Sequence, residues 1–497
     1  SGGPMENILK DGGAGCAYPK TAEAFRELLI RDEKPGADGT LNARERLTAL
    51  FDEGTFTELG AYAVRRRDSE PASDGALEGV IGGYGAVDGC LVYAFAEDLS
   101  RTKAAVSDAT AEKIANVYRL AVENGCPVVG CFDSAGADLV AGVRALAGYG
   151  RIMKAVSAAS GVIPQIAVVS GAAQGASAVI VSMFDFVVAT EKSVVSVSPA
   201  FVVGGGRAED SAANGIATVS VADDAEAMAA VRRLLSSIPS NNEEGAVENN
   251  AVDDPDREVD LSAYASDRDA RALLDLIGDA GSFFEIGAGT APSVVTGFLS
   301  FDGTVCGAVA TDHATDGGRL SSLGARKAAK FVNFCDCFGI PVVTLVDSEG
   351  FTVSASEEKS PFAAELAKLA AAYASAKTPL VTLVTGCAYG SVFSVLGSKS
   401  LGADVVFALD SARISCLTPS AGVALLWNDR ITGSVTRESL EAEWEATEGN
   451  VIHAARAGEI DDIIASAEVR QRVTSAVLML SGKSAAAPRR RHANLPL

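Results

Sequence analysis

The chain has 497 residues and a formal net charge of −22, and at about 150 residues per domain its length corresponds to roughly three domains. The acidity argues against a broad nucleic-acid-binding surface, because affinity for nucleic acid comes mainly from basic contacts with phosphates. With 3 histidines, and 9 cysteines that include no C-x-x-C pair, the composition argues against a histidine-rich metal site, structural zinc and a disulfide framework. We therefore expect a globular, cytoplasmic protein without a metal, and any anionic ligand must be held by local basic groups or by backbone amides.

The first part of the chain carries no apolar targeting signal. Residues 1–4 (SGGP) resemble an expression remnant in front of Met5, and we expect residues 1–38 to form an N-terminal extension. Further along, residues 155–184 carry no charged side chain over 30 positions, which is long enough to cross a membrane. Pro164, Gly171 and Gly175 interrupt this stretch, so the sequence predicts a buried strand, a turn and a helix instead.

An internal repeat is the most informative feature of the sequence. Residues 83–136 align without gaps with residues 297–350 at an offset of 214, with 17 identities in 54 positions. At an offset of 215 the match continues over residues 164–175, and a weaker echo links residues 52–58 with residues 279–285. This period is too long for a solenoid unit. It predicts two domains in tandem, residues 39–245 and 246–497, joined within the polar, acidic stretch 240–261.

Within each copy, apolar strands alternate with helices. In the first copy a β-rich stretch over residues 79–95 precedes a helix over residues 109–124, a strand over 127–132 and a turn over 133–136. A second helix follows, then a strand over 165–169, a turn over 170–175 and a helix that begins at Ala176. This alternation predicts an α/β fold whose sheet is largely covered by helices.

Two strands in each copy end in turns of small residues. The first turns are residues 133–137 (DSAGA) and 347–351 (DSEGF), and the second are residues 171–176 (GAAQGA) and 386–391 (GCAYGS). Where a helix begins after such a turn, its first backbone N–H groups are free, so an anion or an enolate oxygen can bind there. The alternative is that the glycines only permit tight turns, but their occurrence at matching places in both copies favours the functional interpretation. No G-x-x-x-x-G-K-[ST] motif occurs, so a nucleotide P-loop is not indicated.

From about residue 39 to the end, further motifs occur in an order typical of one enzyme family. They are LNARERL at 41–47, FDEGTFTE at 51–58, LAGYG at 146–150, SGVIPQ at 160–165, VD-x-x-GF at 346–351, AYG at 388–390, SKSLGAD at 398–404 and HANLPL at 492–497. With these residues the chain resembles the biotin-dependent acyl-CoA carboxyltransferases. That family includes propionyl-CoA carboxylase β subunits, the transcarboxylase large subunit and carboxyltransferase subunits of sodium-pumping acyl-CoA decarboxylases.

The resemblance implies two crotonase-like domains that arose by duplication. It implies that the N-terminal domain holds the acyl-CoA substrate and the C-terminal domain holds carboxybiotin, with the active site between domains of two subunits in a ring-like homohexamer. The sequence contains no Met-Lys-Met biotinylation site, so the biotin is expected on a separate carrier protein. A biotin carboxylase or membrane decarboxylase subunits are the further partners implied. The implied location is cytoplasmic, with the periphery of a membrane complex as the alternative.

The resemblance also implies which residues form the site. The backbone amides of Gly175 and Ala176 correspond to an oxyanion hole for the thioester enolate, and those of Ser391 and Val392 to a second hole for the biotin ureido oxygen. The substrate-binding residues implied are Ser134, Ala135, Gly136, Gly171, Ala172, Ala173 and Gln174. The biotin-side residues implied are Gly350, Phe351, Tyr389, Gly390 and Ser394. This chemistry needs no histidine, because the amides supply orientation and charge stabilisation.

Departures from the family pattern leave alternatives open. The family has Gly-Gly at Gly175-Ala176, a small residue at Gln174 and Gly-Ala at Ser391-Val392. The reaction can run as a carboxylation, or as an acyl-CoA decarboxylation that feeds a sodium pump. A crotonase-type hydratase or isomerase is another alternative, but it needs glutamates near the first hole and none lies in residues 170–181. An inactive scaffold paralogue is the last alternative.

Other reactive or charged residues have competing interpretations. For Lys113 and Lys327, which are equivalent in the repeat, a structural ion pair is favoured over contact with CoA phosphates or an acidic partner. Asp98 and Asp312 receive the same structural interpretation. Cys387 is interpreted as a core residue and not a nucleophile, because no histidine is near it in sequence. Further predictions are a structural or exposed role for His313, a solvated loop at residues 65–67 (RRR) and a basic tail at residues 489–491 (RRR).

Overall fold

Two apolar segments, Val128–Phe132 and Gln165–Val169, pair in parallel as buried strands, and Val342–Ser348 pairs with Leu380–Tyr389 in the same way. The structure, a computed structural model, describes residues 22–23, 40–63, 77–487 and 489–494. Contacts divide the chain into two units, Ser1–Asn242 and Glu243–Leu497. Each unit has its own sheet and its own apolar core.

The described part of unit 1 contains nine strands and seven α-helices with both ends described, besides the helical residues Ala22 and Glu23. In chain order they are α1 (Ala43–Leu50), β1 (Thr57–Glu58), β2 (Val80–Val87), β3 (Cys90–Glu97), α2 (Asp108–Asn124), β4 (Val128–Phe132), α3 (Val143–Ala159), β5 (Gln165–Val169), β6 (Ala172–Gln174), α4 (Ala176–Ser182), β7 (Phe186–Thr190), β8 (Val194–Ser196), α5 (Ala200–Val203), α6 (Ala208–Asn214), β9 (Val219–Val221) and α7 (Asp224–Ser237).

The described part of unit 2 contains eight strands and ten helices. In chain order they are α8 (Ser262–Asp267), α9 (Ala270–Ile277), β10 (Phe284–Ile286), β11 (Val294–Phe301), β12 (Thr304–Thr311), α10 (Ser322–Cys337), β13 (Val342–Ser348), α11 (Ala355–Lys359), α12 (Phe362–Ser375), β14 (Leu380–Tyr389), α13 (Val392–Val395), β15 (Val405–Leu409), β16 (Arg413–Ser415), α14 (Pro419–Leu426), α15 (Arg437–Ala446), α16 (Val451–Arg456), β17 (Asp462–Ile464) and α17 (Val469–Met479).

Both sheets follow the same strand order. Unit 1 has the order β1-β2-β3-β4-β5-β7-β9, and unit 2 has β10-β11-β12-β13-β14-β15-β17. The first three strands of each sheet are antiparallel, and every later pairing is parallel. A short parallel pair, β6 with β8 in unit 1 and the end of β14 with β16 in unit 2, continues from the fifth strand of each sheet. The mixed α/β architecture with a covered parallel sheet is therefore as predicted.

Local signals in the sequence fix the helix boundaries. The predicted helix over residues 109–124 is confirmed as α2, which begins after the N-cap Ser107 and ends at Gly125 with a φ of 61°. In unit 2 the equivalent Ser321 caps α10 through the amide of Gly324. Serine side chains satisfy amides that a helix start leaves unpaired, which is why both helices begin at the same point of the repeat.

The weak sequence similarity between residues 52–58 and residues 279–285 is accompanied by an ion pair that occurs in both units. Arg44 in α1 pairs with Glu58 in β1 at 2.7 Å, and Arg271 in α9 pairs with Glu285 in β10 at 2.8 Å. Both pairs fit a single offset of 227 residues. The helix that precedes each sheet is therefore fastened to its edge strand by the same ion pair.

The last long helix of each unit is hydrogen-bonded to the end of a helix near the start of that unit, α1 in unit 1 and α9 in unit 2. Arg232 in α7 donates to the Leu50 carbonyl at 2.7 Å and to the Asp52 carboxylate at 2.9 Å. Arg470 in α17 donates to the equivalent carbonyl of Ile277 at 3.0 Å and to Asp279 at 2.6 Å. These two arginines tie the end of each unit to its beginning.

The uncharged stretch 155–184 forms the end of α3, the strands β5 and β6, and α4. Its strand–turn–helix organisation is confirmed. In the part of the chain that the structure describes, none of the helices has both the length and the apolar character needed to span a membrane.

Candidate functional site

The turn after β4 uses its own amides within the protein. The Ser134 N–H donates to the Ala172 carbonyl at 2.9 Å, the Ala135 N–H to the Lys103 carbonyl at 3.0 Å, and the Gly136 N–H to the Ser134 hydroxyl at 3.0 Å. The helix α3 begins only at Val143, so no helix start follows the turn directly. The interpretation of residues 133–137 as a set of free amides is therefore wrong.

The corresponding turn of unit 2 has the same bonds. The Glu349 N–H donates to the Gly317 carbonyl at 3.0 Å, and the Gly350 N–H to the Ser348 hydroxyl at 3.2 Å. Phe351 packs edge-on against Phe362 with ring centroids 6.0 Å apart. In both units these amides of the first turn are hydrogen-bonded within the protein, so the turn is rigid and they are not available to bind an anion.

An aspartate at the start of each first turn fastens it to the second turn. Asp133 accepts a hydrogen bond from the amide that follows Gly171 at 3.3 Å, and Asp347 from the amide that follows Gly386 at 2.9 Å. A β-carbon on Gly171 or Gly386 would collide with these carboxylates. Packing therefore accounts for both glycines without a ligand.

Arginines neutralise the two aspartates. Arg46, which is only 2% exposed, lies between Asp133 at 3.3 Å and Asp224 at 3.4 Å. Burial raises the pKa of Asp133, and Arg46 opposes that shift. Arg268 donates to Asp347 through Nε at 2.9 Å and through a second nitrogen. Each first turn therefore sits on a charged pair that stabilises the strand ends.

The second turns do provide unpaired amides. Gly175 adopts φ 60° and ψ −125°, a conformation that favours glycine, and its amide donates to the Ser196 carbonyl at 2.9 Å. The helix α4 then begins at Ala176, and the amides of Ala176 and Ser177 have no hydrogen-bond partner among the described residues. Helix-start amides of this kind are donors for an anionic oxygen.

Unit 2 repeats this geometry. The Gly390 amide donates to the Ser415 carbonyl at 2.9 Å, and the first amides of the short helix that follows are those of Ser391 and Val392. Neither has a partner in the described part of the chain. The side chain of Ser391 is exposed and that of Val392 is buried.

The structure changes one member of the predicted donor set. Gly175 is equivalent to Gly390, whose amide is also engaged, so the pair of available donors in unit 1 is Ala176 with Ser177. Ser177 was missed from the sequence. The repeat does indicate Ser177, because the offset of 215 maps Ser391 and Val392 onto Ala176 and Ser177.

The remaining predicted residues surround these helix starts. In unit 1, Ala173 is buried in β6 and Gln174 is half-buried at its end. In unit 2, Tyr389 is buried at the end of β14 and Ser394 is exposed on α13. Burial raises the pKa of the Tyr389 phenol, so it stays protonated at neutral pH.

Unit 2 also contains a cavity of about 860 Å³ at the carboxyl ends of its strands. Its lining mixes cationic, anionic and aromatic groups and includes Tyr264, Arg268, His313, Tyr389, Arg413 and Glu445. Tyr264, one of these lining residues, donates to Asp347 at 2.8 Å. The cavity belongs to the side of unit 2 that carries the predicted residue Tyr389.

His313, Asp347 and Cys387 are close enough for their donor atoms to lie within 4.8 Å of one another. However, Arg268 already binds Asp347 and lies 3.4 Å from the Cys387 sulfur, so a cation occupies this place. Burial raises the pKa of the Cys387 thiol to about 12. A protonated thiol is neither a good metal ligand nor a nucleophile, which agrees with the interpretation of Cys387 as a core residue.

Lys113 and Lys327 bind backbone carbonyls and not carboxylates. Lys113 donates to Val80 at 2.7 Å, and Lys327 donates to the equivalent Val294 at 2.6 Å and to Thr290 at 2.8 Å. Burial lowers the pKa of each lysine to about 8. Their structural role is confirmed, but the predicted ion pair is wrong as to the partner.

Asp98 and Asp312 form structural ion pairs, with Arg101 at 3.2 Å and with Arg271 at 3.1 Å. His313 lies 3.3 Å from Glu349, which also pairs with Arg319. The basic run at residues 65–67 and the final residues 495–497 lie outside the described residues, as do residues 1–21 and 24–39. Residues 489–491 are exposed.

A buried carboxyl lies beneath the first turn of unit 1. Glu97, at the end of β3, accepts a hydrogen bond from the Asp133 amide at 2.8 Å. Burial raises its pKa to about 8. In unit 2 the hydroxyl of Thr311 accepts the same bond from Asp347 at 2.7 Å.

The sequence of the chain is similar to a known protein family and to characterised relatives over most of its length. Residues 35–495 match the family model described as a carboxyl transferase domain. The chain is 33% identical to the propionyl-CoA carboxylase beta chain of Roseobacter denitrificans, over 92% of this chain and 94% of the relative. It is 34% identical to the methylmalonyl-CoA decarboxylase subunit alpha of Propionigenium modestum, over 94% of this chain and 96% of the relative.

A solved structure is also similar over almost the whole chain. It is the transcarboxylase 12S hexamer with methylmalonyl-coenzyme A and methylmalonic acid bound, with a TM-score of 0.89 and 29% identity. The match covers 97% of this chain and 100% of that chain.

Proposed function

The chain belongs to the carboxyl transferase family, and we propose that it moves a carboxyl group between carrier-bound biotin and a short-chain acyl-CoA. It is thus a biotin-dependent acyl-CoA carboxyltransferase of the propionyl-CoA carboxylase beta and transcarboxylase type. The observation that carries the proposal is the helix start in each unit whose first two amides lack a partner among the described residues.

We assign the acyl-CoA thioester to unit 1. Loss of a carboxyl group, or of a proton, from the carbon beside the thioester leaves an enolate, and its oxygen gains negative charge. The amides of Ala176 and Ser177 would donate to that oxygen, and the positive end of the α4 dipole adds to the stabilisation. Ser134, Ala135 and Gly136 would form the wall beside the acyl group, and residues 171–174 its floor.

We assign biotin to unit 2. Biotin, when bound, carries the carboxyl group and takes up a proton at its ureido group. Two neutral amide donors at one helix start, those of Ser391 and Val392, match an oxygen that gains negative charge during this exchange. Gly350, Phe351, Tyr389, Gly390 and Ser394 would surround it. The fold proposed for both units is crotonase-like and duplicated, which the repeated strand order and ion pairs support.

The direction of the reaction is proposed as carboxylation or, alternatively, decarboxylation that feeds a sodium pump. The similar relatives include a propionyl-CoA carboxylase chain and a methylmalonyl-CoA decarboxylase chain. The same enolate occurs in both directions, so the same amides serve both. A hydratase or isomerase is less favoured, because no carboxylate occurs in residues 170–181 and Glu97 is engaged beneath the first turn.

The proposed partners are a biotin carboxyl carrier protein and either a biotin carboxylase or membrane decarboxylase subunits. A homohexamer is proposed by analogy with the transcarboxylase 12S hexamer. The proposed location is cytoplasmic, peripheral to a membrane complex in the decarboxylase case. The 8 cysteines of the described part, all of which are free, support a reducing compartment.

Decarboxylation of several acyl-CoA substrates tests the function. The protein is mixed with free biotin or a biotinylated carrier and with malonyl-, methylmalonyl- or glutaconyl-CoA, and the release of CO2 is measured. We expect release that depends on biotin with at least one substrate. Release with none of them would leave the inactive scaffold, and hydration of an enoyl-CoA without biotin would identify the hydratase alternative.

A further inference from the structure

A left-handed turn precedes α2 in unit 1. Thr102, Lys103 and Ala104 have φ angles of 53°, 53° and 52°. Only glycine adopts this conformation without a steric penalty. In unit 2 the equivalent turn is Asp316, Gly317 and Gly318, so glycine stands at two of its three positions. Unit 1 therefore keeps side chains at the two positions where unit 2 has glycine.

The turn holds Lys103 beside the predicted substrate-binding residues. The Lys103 carbonyl accepts the Ala135 amide at 3.0 Å, and the Ala104 carbonyl accepts the Ser134 hydroxyl at 2.6 Å. On its other side the turn packs on Gly79, where a β-carbon would lie 2.8 Å from the Arg101 carbonyl. Contacts on both sides fix the backbone from which the Lys103 side chain projects.

The two units carry different side chains at this place. In unit 2 a β-carbon on Gly317 would lie 2.9 Å from the Glu349 carboxylate. The Glu349 side chain thus occupies the space that a side chain on residue 317 would need. In unit 1 the residue equivalent to Glu349 is Ala135, which leaves room for a side chain on residue 103. In unit 1 a lysine thus stands where unit 2 has a carboxylate that is paired with Arg319.

The Lys103 side chain is exposed, and it forms no hydrogen bond or ion pair with any residue that the structure describes. It differs in this from Lys113, whose ammonium group is buried against a carbonyl. The protein has a net charge of −22, so an anionic ligand needs a local cation to offset long-range repulsion. A residue kept in a strained conformation at a ligand site is a candidate for a functional role.

We propose that Lys103 binds a phosphate group of coenzyme A and is a substrate-binding residue of unit 1. The inference rests on the assignment of the acyl-CoA to unit 1. It adds a cation to a site that the sequence described only through small residues and amides. In the unit 2 turn the cation Arg319 is already paired with Asp316 and Glu349, so this turn would not attract the same phosphates.

Binding of free CoA by titration calorimetry tests the proposal without any need for turnover. We expect Lys103→Ala and Lys103→Gly to raise the Kd for CoA by about threefold to tenfold at low salt, and the difference from wild type to shrink at high salt. Lys377→Ala is the matched control, because Lys377 is an exposed lysine just before β14, at the opposite end of its strand from Tyr389. Its Kd should equal that of wild type.

Shortened ligands identify the contact. If the Lys103 variants still bind dephospho-CoA more weakly than wild type does, Lys103 contacts the diphosphate. If variants and wild type bind dephospho-CoA equally well, Lys103 contacts the 3′-phosphate. With pantetheine, wild type and variants should bind alike. Lys103→Gly should unfold at a temperature no lower than wild type, because glycine relieves the left-handed strain.

An unchanged Kd for CoA in both Lys103 variants would overturn the proposal and leave the carboxyltransferase function standing. A loss that persists with pantetheine would also overturn it. A wild-type protein that does not bind CoA contradicts both the proposal and the assigned function. Weakened CoA binding together with the absence of biotin-dependent turnover would uphold Lys103 and remove the carboxyl-transfer reaction.

Discussion

The backbone amide of Gly175 donates to the carbonyl oxygen of Ser196 at 2.9 Å. Gly390 forms the equivalent bond with Ser415 at 2.9 Å. Each glycine therefore orients the helix that follows it, and the following two amides have no partner among the described residues. The proposed oxyanion holes depend on backbone groups, so their tests must remove an N–H and not a side chain.

Proline substitution removes a single donor. Ser391 has a φ of −70°, close to the value that proline requires, and proline is tolerated at the start of a helix. We expect Ser391→Pro to lower kcat for biotin-dependent decarboxylation by about 10²–10³-fold, while Ser391→Ala stays close to wild type. Ala176→Pro should have a similar effect in unit 1, with Ala176→Gly as its control. Equal activity of the proline and control variants would contradict the assignment.

Alanine at Gly171 or Gly386 should destabilise the protein. A β-carbon at either position collides with the carboxylate of Asp133 or Asp347, and overpacking of this kind costs about 1–3 kcal/mol. Thermal or urea unfolding measures the change. The matched control is Gly150→Ala on α3, where a β-carbon meets nothing within 4 Å and should stabilise the helix by about 0.5–1 kcal/mol. Unchanged stability in both test variants would mean that the aspartates can move away.

The stability of the protein should depend on the protonation of Glu97. Its pKa is raised to about 8 by burial, whereas an exposed glutamate titrates near 4.5. Between these values the folded state binds more protons than the unfolded state, so the free energy of unfolding should fall as the pH rises from about 4.5 to 8.

Glu97→Gln, which keeps an acceptor for the Asp133 amide, should flatten that dependence. The variant should exceed wild type in stability above pH 8, by at most about 5 kcal/mol, and should lose the advantage below pH 4.5. Urea unfolding at several pH values measures the difference. Parallel pH profiles for wild type and variant would show that Glu97 is charged in the folded state.

Lys113 and Lys327 should matter for stability and not for substrate binding. Lys113→Met or Lys327→Met leaves a carbonyl without its donor, which costs about 1–3 kcal/mol when the carbonyl is buried. We expect a lower unfolding temperature and an unchanged Kd for CoA. Weaker CoA binding by the Lys113 variant at unchanged stability would contradict this prediction. That result, which we expect of the Lys103 variants, would restore the phosphate-binding role considered for Lys113.

The sequence predicts the strands and the turns well because their causes are local. The strand over residues 165–169 and the helix that begins at Ala176 are found where the apolar run and the glycine turn place them. The helix over residues 109–124 begins one residue earlier, at Asp108, because Ser107 caps it. The ungapped repeat then extends these assignments to unit 2, since equivalent residues meet equivalent neighbours.

The sequence cannot identify which amides are engaged, because that depends on pairing between segments distant in sequence. The Gly175 amide is occupied only because β8 lies beside β6, and the Lys113 ammonium finds a carbonyl only because α2 packs on β2. The strain at Lys103 is also invisible in the sequence until the turn is seen to be left-handed. For the same reason the family resemblance, which implied the Gly175 amide as a donor, could not show that this amide is already hydrogen-bonded to Ser196.

The arginines that close each unit have a consequence for synthesis of the chain. Arg232 reaches back 180 residues to Asp52, and Arg470 reaches back 191 residues to Asp279. A ribosome therefore delivers the last helix of each unit long after the first, and the two ends of the unit cannot be joined until that last helix emerges. Contacts of such separation slow folding, so chains that terminate before α7 or α17 should expose to chaperones and proteases the apolar surface that these helices cover.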